Sequence, residues 1–291
     1  MRYGWLTKAV RLVADRPDGF AHDDAMVQLG VGKNMVRSIR HWALAVGVLE
    51  EDSTVAKNRG RFLRVSALGE KLLAADGLDP FLERSATLWL LHYRMVSRSD
   101  GPTTWYWTFN HLPRLEFTAE HLVEELVRVA CDRGLKGAAE GTIRRDVNCF
   151  IRTYVPARQS RDQAIEETLD CPFAELNLLH EVDGEAAIAF SRGFHETLPD
   201  WVFAYAVLDF WDRNAPQSTT LQFTEIAYHA GSPGRVFKLS ESAVSARLQR
   251  IAATTRDAVT FDTTAGLSQL YRHAVIDPIT IVNDQRRVAR R

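Results

Sequence analysis

Between Asp24 and Glu50 the sequence carries no acidic side chain, and this run constrains the chain more than any other. Within it, residues 33–46 have the pattern of a helix, preceded by the short glycine-bearing bridge Gly30-Val31-Gly32. At about 100° per residue, Val36, Ile39, Ala43 and Val46 fall on one side, with Met35 and Trp42 at its flank. Lys33, Arg37, Arg40 and His41 fall on the opposite side, with Asn34 beside them. A helix packed on one face and cationic on the other is what insertion into a major groove requires. Arginine and asparagine pair with base edges through two hydrogen bonds, and lysine neutralises phosphate. A plain solvated helix usually mixes acids into its outer face, so the acid-free run favours DNA.

The flanking sequence fits the same unit. Residues 5–14 place Leu6, Ala9, Val10 and Val13 at helical spacing, and Pro17-Asp18-Gly19 ends that element. A second short helix is expected from Asp23-Asp24 to Gly30, acids that suit a positive helix N-terminus. Residues 48–51 and 61–65 read as two short strands around a tip at 52–60. Lys57, Arg59 and Arg61 put cations where a wing meets the phosphate backbone. Ser66-Ala67-Leu68-Gly69-Glu70 then opens another helix. Together these define a winged-helix DNA-binding domain over residues 1–78.

A helical middle domain is expected over residues 79–196. Asp79-Pro80 has the form of a helix start, with Asp as N-cap and Pro in the first turn. The helix beyond it, Thr87-Leu88-Trp89-Leu90-Leu91-His92-Tyr93, is apolar on most sides, which makes His92 a hydrogen-bonded core residue. The run Trp105-Tyr106-Trp107-Thr108-Phe109-Asn110 is expected to be core rather than a base-stacking platform. A second helix-turn-helix-like unit follows, with residues 117–133, a glycine-rich break at 134–141, and a helix over 142–154. On the last, Ile143, Val147, Phe150, Ile151 and Tyr154 share one face. Arg144, Arg145, Asn148 and Arg152 share the other, with Asp146 near the edge. After a loop-like stretch at 156–161, strands at 176–179 and 186–190 are expected around an Asp183-Gly184 turn.

Residues 197–291 read as a third winged-helix-like module with a less basic outer face. Helices are expected over 198–211, 223–230 and 241–253, the last capped by Ser240, followed by a strand at 258–262. Thr264-Ala265-Gly266-Leu267 mirrors the Ser66 segment that opens the helix after the first hairpin. Four arginines crowd residues 286–291, a pattern typical of a solvated, disordered end. The fold class is thus mainly α with small β-hairpins, in tandem winged-helix-like modules.

Several chemistries are disfavoured. Lys and Arg total 36 against 37 Asp and Glu, so the chain does not coat nucleic acid through bulk charge. Locally the balance differs: up to Ser66 there are 11 Lys/Arg against 7 Asp/Glu. Cys131, Cys149 and Cys171 form no CxxC pair, so buried reduced thiols are expected and no metal site is assigned. With no apolar run of membrane-spanning length and no signal-like N-terminus, a cytoplasmic location without a membrane is expected. Asp183 and Glu185 lack a lysine at catalytic spacing, and His111 and His121 near Asn110 do not form a compact nuclease motif. No phosphate-loop, GxSxG or HExxH motif occurs, so catalytic residues are unassigned and no cofactor is evident.

The strings Arg2-Tyr3-Gly4-Trp5-Leu6, Leu29-Gly30-Val31-Gly32-Lys33-Asn34-Met35-Val36, Asp79-Pro80 with Thr87 to Tyr93, and Ser232-Pro233-Gly234-Arg235 resemble landmarks of SspB-like proteins. The resemblance runs to about Leu270. It implies a role in bacterial DNA phosphorothioation, where sulfur replaces a non-bridging phosphate oxygen. In such systems the SspB-like component is a DNA-nicking subunit, so a divalent metal is implied if this chain nicks. It works beside a cysteine desulfurase, an ATPase and a protein resembling PAPS reductases. Two departures stand out: Met1 falls directly on the Arg-Tyr-Gly-Trp-Leu position, where the family has an upstream stretch, and Arg84 replaces an expected acid. From the residues alone, a winged-helix transcriptional regulator and a non-catalytic scaffold subunit remain the alternatives to a double-stranded-DNA recognition subunit.

Overall fold

The computed structural model describes residues 1–134, 139–156, 171–264 and 266–289. Its first unit opens with α1 (Trp5–Asp15), a 3-10 turn (Gly19–Ala21), α2 (Ala25–Leu29) and α3 (Lys33–Ala45). The antiparallel hairpin β1 (Leu49–Glu51) and β2 (Leu63–Val65) follows, then α4 (Ala67–Leu73). Amphipathic spacing drives the packing: Leu6, Ala9, Val10 and Val13 of α1 are buried with Val36, Ile39, Trp42 and Ala43 of α3. Gly30, in the left-handed region at φ 64°, ends α2 and turns the chain into α3. Ser66 caps α4 by accepting from the Gly69 amide at 3.0 Å, and its hydroxyl donates to the Gly47 carbonyl.

Asp79-Pro80 does not start a helix. The Asp79 carboxylate accepts from the amides of Glu83 and Arg84 in a local turn, and Leu82 sits at φ 59°, which no helix accommodates. α5 therefore begins later, at Ser85–Val96, and is buried as its apolar sequence requires. α6 (Thr103–Asn110) holds the aromatic run, and Trp105, Trp107 and Phe109 are core residues. Next come β3 (Glu116–Phe117), α7 (Ala119–Asp132) and α8 (Glu140–Tyr154), with Ile143, Val147, Phe150 and Tyr154 facing inward. The expected strand at 176–179 is instead a 3-10 turn (Pro172–Leu176) leading into β4 (Leu179–Glu181). β5 (Ile188–Phe190) pairs with β4 across Gly184, whose φ of 79° the turn demands, and β3 closes the far side in the order β3-β5-β4. Part of the glycine-rich break and most of the 156–161 loop lie outside the described residues.

The third unit repeats this topology. α9 (Asp200–Asn214) leads to β6 (Thr220–Gln222), α10 (Phe223–Tyr228), the short α11 (Pro233–Val236), α12 (Glu241–Leu248) and α13 (Ile251–Thr255). β7 (Val259–Thr264) and β8 (Leu267–Arg272) form the closing hairpin, in the order β6-β8-β7. In both units a strand entering before the helices pairs with the second strand of the hairpin. The first unit has only a trace of that strand, one bond from the Leu63 amide to the Pro17 carbonyl at 2.8 Å. Pro233 opens the helical turn of α11. Two expectations change here. The helix over 241–253 is broken at Gln249 and Arg250, where Arg250 turns to bind Asp200 at 2.6 Å. Thr264 pairs with Leu267 across the hairpin, with Gly266 at φ 81°, so Thr264 does not cap a helix; Ala265 lies outside the described residues.

The arginine-rich end is not a free tail over its described part. α14 (Pro278–Ala289) packs on α9 and on α4, and Arg286 is bound to Asp76. Arg290 and Arg291 lie outside the described residues. No described helix is long and apolar enough to cross a membrane.

Candidate nucleic-acid interface

The outer face of α3 divides into free and engaged cations. Lys33, Asn34 and Arg37 are exposed, and their side chains have no hydrogen-bond or ion-pair partner among the described residues. Arg40 is half-buried, and its Nη2 donates to the Gly60 carbonyl at 2.7 Å, tying the helix to the hairpin tip. Gly60 accepts this approach because it has no side chain; at φ 74°, a Cβ there would lie 2.9 Å from that nitrogen. Arg40 is thus a positioning residue rather than a free contact.

Asn58 organises the tip. Its Nδ2 donates to the carbonyls of Asp52 (2.9 Å) and Phe62 (2.7 Å), while its Oδ1 accepts from the Phe62 amide at 2.6 Å. Around it Lys57 and Arg59 adopt φ of 54° and 51°, a region costing an ordinary residue about 1–2 kcal/mol. Both side chains are exposed and have no partner among the described residues. Arg61 is less available: it lies 3.7 Å from Asp18, which also holds His22 at 2.8 Å. The His22 hydrogen bond is the main reason the Asp18 carboxyl is held below its usual range, with Arg16 and Arg61 adding to the effect.

His41 faces a groove between α3 and the second unit. Arg37, Ser38 and His41 line one wall, and Thr103, Asp146 and Cys149 belong to the other. Burial pushes the His41 ring below its usual pKa against the pull of Asp146, and burial raises Asp146. On α8, Arg144 is bound to Glu140 at 2.9 Å with Glu120 at 4.0 Å. Arg145 donates to the Gly141 carbonyl and the Thr142 hydroxyl. Asn148 and Arg152 are exposed and free among the described residues. The second hairpin also differs from the first: Glu181, Asp183 and Glu185 surround its turn, where the first carries Lys57 and Arg59. The second unit therefore presents a weaker cationic face.

Other candidate groups resolve as structure. His92 is buried, with Nδ1 against the Tyr154 hydroxyl at 2.8 Å and Nε2 against the Val236 carbonyl at 2.9 Å. Asn110 is buried and fully used: Nδ2 donates to Val96 and Tyr106, and Oδ1 accepts from the Gly231 amide at 2.7 Å. It is not the centre of a His-Asn-His site. Cys171 is buried, but Cys131 and Cys149 are exposed, because the outer faces of α7 and α8 carry them. Among the described residues no three His, Cys, Asp or Glu side chains gather where a metal ion could be held.

Asn58 and Gly60 were not identified from the sequence. The glycine preceding the return strand was the available signal for a tight tip.

Fold and site together define a mostly helical protein of repeated helix-and-hairpin topology, whose first unit presents exposed cations, unpaired among the described residues, on a helix and on the hairpin beside it. The chain belongs to the DUF4007 family, described as "Protein of unknown function (DUF4007)", which matches residues 1–282. Two similar solved structures agree with the SspB-like landmarks. An SspB crystal structure is 32% identical with a TM-score of 0.88, and a magnesium ion-bound SspB crystal structure is 31% identical with a TM-score of 0.88. Each similarity covers 99% of this chain and 85% of the other. No curated protein matches the chain.

Proposed function

We propose that this chain is the double-stranded-DNA recognition subunit of a bacterial DNA phosphorothioate modification and defence system. In this reading the three units are winged-helix-like modules over residues 1–78, 79–196 and 197–291. α3 enters the major groove and the β1–β2 tip rests on the backbone. The observation that carries it is the set of exposed cations Lys33, Arg37, Lys57 and Arg59, unpaired among the described residues, on two elements locked together by Arg40 and Gly60. Surface cations with no acid to satisfy them are available to phosphate and to base edges. Fixing the hairpin against the helix before binding lowers the ordering cost of the contact. The topology of the second and third units supports the same module type, since the strand before the helices pairs into the hairpin sheet.

The phosphorothioation context rests on the SspB neighbours, and the proposed partners are the desulfurase, ATPase and PAPS-reductase-like proteins of such systems. Duplex binding as a function of salt tests recognition. Lys33→Ala with Arg37→Ala is expected to weaken affinity and to reduce the slope of log K against log[salt] by about 1.8 if both sites lie on phosphates. Unchanged affinity and slope would remove α3 from the interface. The DNA-nicking role implied by the SspB resemblance is a separate proposal with its own assay. Relaxed circles from supercoiled plasmid in the presence of magnesium support it; plasmid that is bound yet stays supercoiled removes it and leaves recognition standing.

A further inference from the structure

Two arginines at the junction of the second and third units have no carboxylate partner among the described residues. Arg192 follows β5, and Arg235 lies in α11 within the Ser232-Pro233-Gly234-Arg235 string. Each guanidinium is pinned through Nε to a backbone carbonyl, Arg192 to Leu239 at 3.4 Å and Arg235 to Tyr228 at 3.0 Å. Their terminal nitrogens have no partner among the described residues. The neighbouring arginines of the third unit behave differently: Arg213, Arg247, Arg250, Arg256 and Arg272 each meet a carboxylate.

Two further basic side chains adjoin the pair. Lys238 is buried beneath the pair, with Nζ donating to the Phe109 carbonyl at 2.6 Å and lying 4.0 Å from the Phe190 ring centre. Besides burial, the groups that bear on its ammonium are Arg235 and Arg192, and its pKa is lowered to about 7. His111, just past α6, is exposed and lies under the influence of Arg133 and Arg235, with no acid opposing them. Glu241 at the margin accepts from the Tyr228 hydroxyl and is a carboxylate beside the patch.

We propose that this junction is a second DNA-contact surface, which grips the phosphodiester backbone through the free forks of Arg192 and Arg235. The proposal rests on the DNA-recognition reading above and extends the bound track to a place far from α3 in sequence. A phosphate is matched by two pre-positioned guanidinium forks, which bind it through paired, charge-assisted hydrogen bonds. A protein partner would instead want a desolvated apolar centre. Tyr228, whose carbonyl accepts from Arg235, is exposed, but its hydroxyl is engaged by Glu241.

The test is duplex binding of the full chain across a salt series, with thermal unfolding as the check on folding. Arg192→Gln with Arg235→Gln is expected to weaken binding and to lower the log–log salt slope by about 1.8, while Arg192→Lys with Arg235→Lys retains most of the slope. Arg192→Gln alone, at an exposed position, is expected to lower it by about 0.9 and keeps the test open if the double variant fails to fold. If the Gln variants keep wild-type affinity and slope while Lys33→Ala with Arg37→Ala loses both, the junction proposal is overturned and DNA recognition stands. That result would direct the patch to an acidic protein partner. Wild-type protein that binds no duplex would remove the recognition reading itself.

Discussion

His92 is fully buried, and its two partners satisfy a neutral ring. The Val236 carbonyl can only accept, so Nε2 carries the proton and Nδ1 receives the Tyr154 hydroxyl. Burial lowers its pKa to about 3 from an ordinary 6.5. The unfolded chain therefore takes up this proton first, and the stability that His92 contributes is present above about pH 6.5 and lost as pH falls toward 3. Urea midpoints measured across that window are expected to fall more steeply in the wild type than in His92→Gln, which keeps a donor and an acceptor; parallel curves would contradict the assignment. Lys238 titrates in a different window. Its folded pKa near 7 lies below the ordinary 10.5, so stability rises with pH between those values, and Lys238→Met is expected to flatten that rise in the same assay. The buried role of His92 was legible because its neighbours on α5 are apolar on most sides. Arg247 was not: its side chain is 1% exposed, yet nothing within a few residues announces Asp200, 47 positions away.

At the scale of elements, α3 and the β1–β2 hairpin act as one part only while Gly60 and Arg40 stay in contact. Gly60→Ala is expected to cost about 1–2 kcal/mol from the left-handed backbone alone and to push Arg40 off the carbonyl. Duplex affinity should then fall although no phosphate-facing cation is removed; chemical denaturation and binding isotherms on the same variant separate the two effects. Four of the helices of 11 to 15 residues were readable, since α1, α3, α7 and α8 bury the positions that their spacing marks, whereas α14, of 12 residues, was hidden by its arginines. The strands β3 and β6, of 2 and 3 residues, carry no usable period and exist because β5 and β8 pair with them. Nor does local sequence mark Gln249-Arg250 as a break, because the pull comes from Asp200 at the start of α9. The cations of α3 were recognisable as a face. Which of them are free depends on Gly60, 20 residues beyond Arg40.

Across the whole molecule, polar contacts tie together residues distant in sequence. Asp200 holds Arg247 at 2.9 Å and Arg250 at 2.6 Å. Asp200→Ala strands the buried Arg247 guanidinium, and a loss of about 3 kcal/mol is expected, toward the low end for a broken buried pair because Asp200 is itself about a third exposed. Thermal unfolding reads this directly, and an unchanged midpoint would mean that the Phe194 and His195 carbonyls suffice to hold Arg247. The mostly helical chain with small antiparallel hairpins was visible in the sequence patterns. The junction was not, since Asn110 meets Gly231 and Lys238 meets Phe109 across 121 and 129 residues. A further consequence follows from α14, which returns to pack on α4 and binds Asp76 through Arg286. A chain leaving the ribosome completes α1 to α4 and their hairpin early. The α14 cover on α4 arrives only after residues 278–289 have emerged, so the segment translated first is among the last to reach its mature packing.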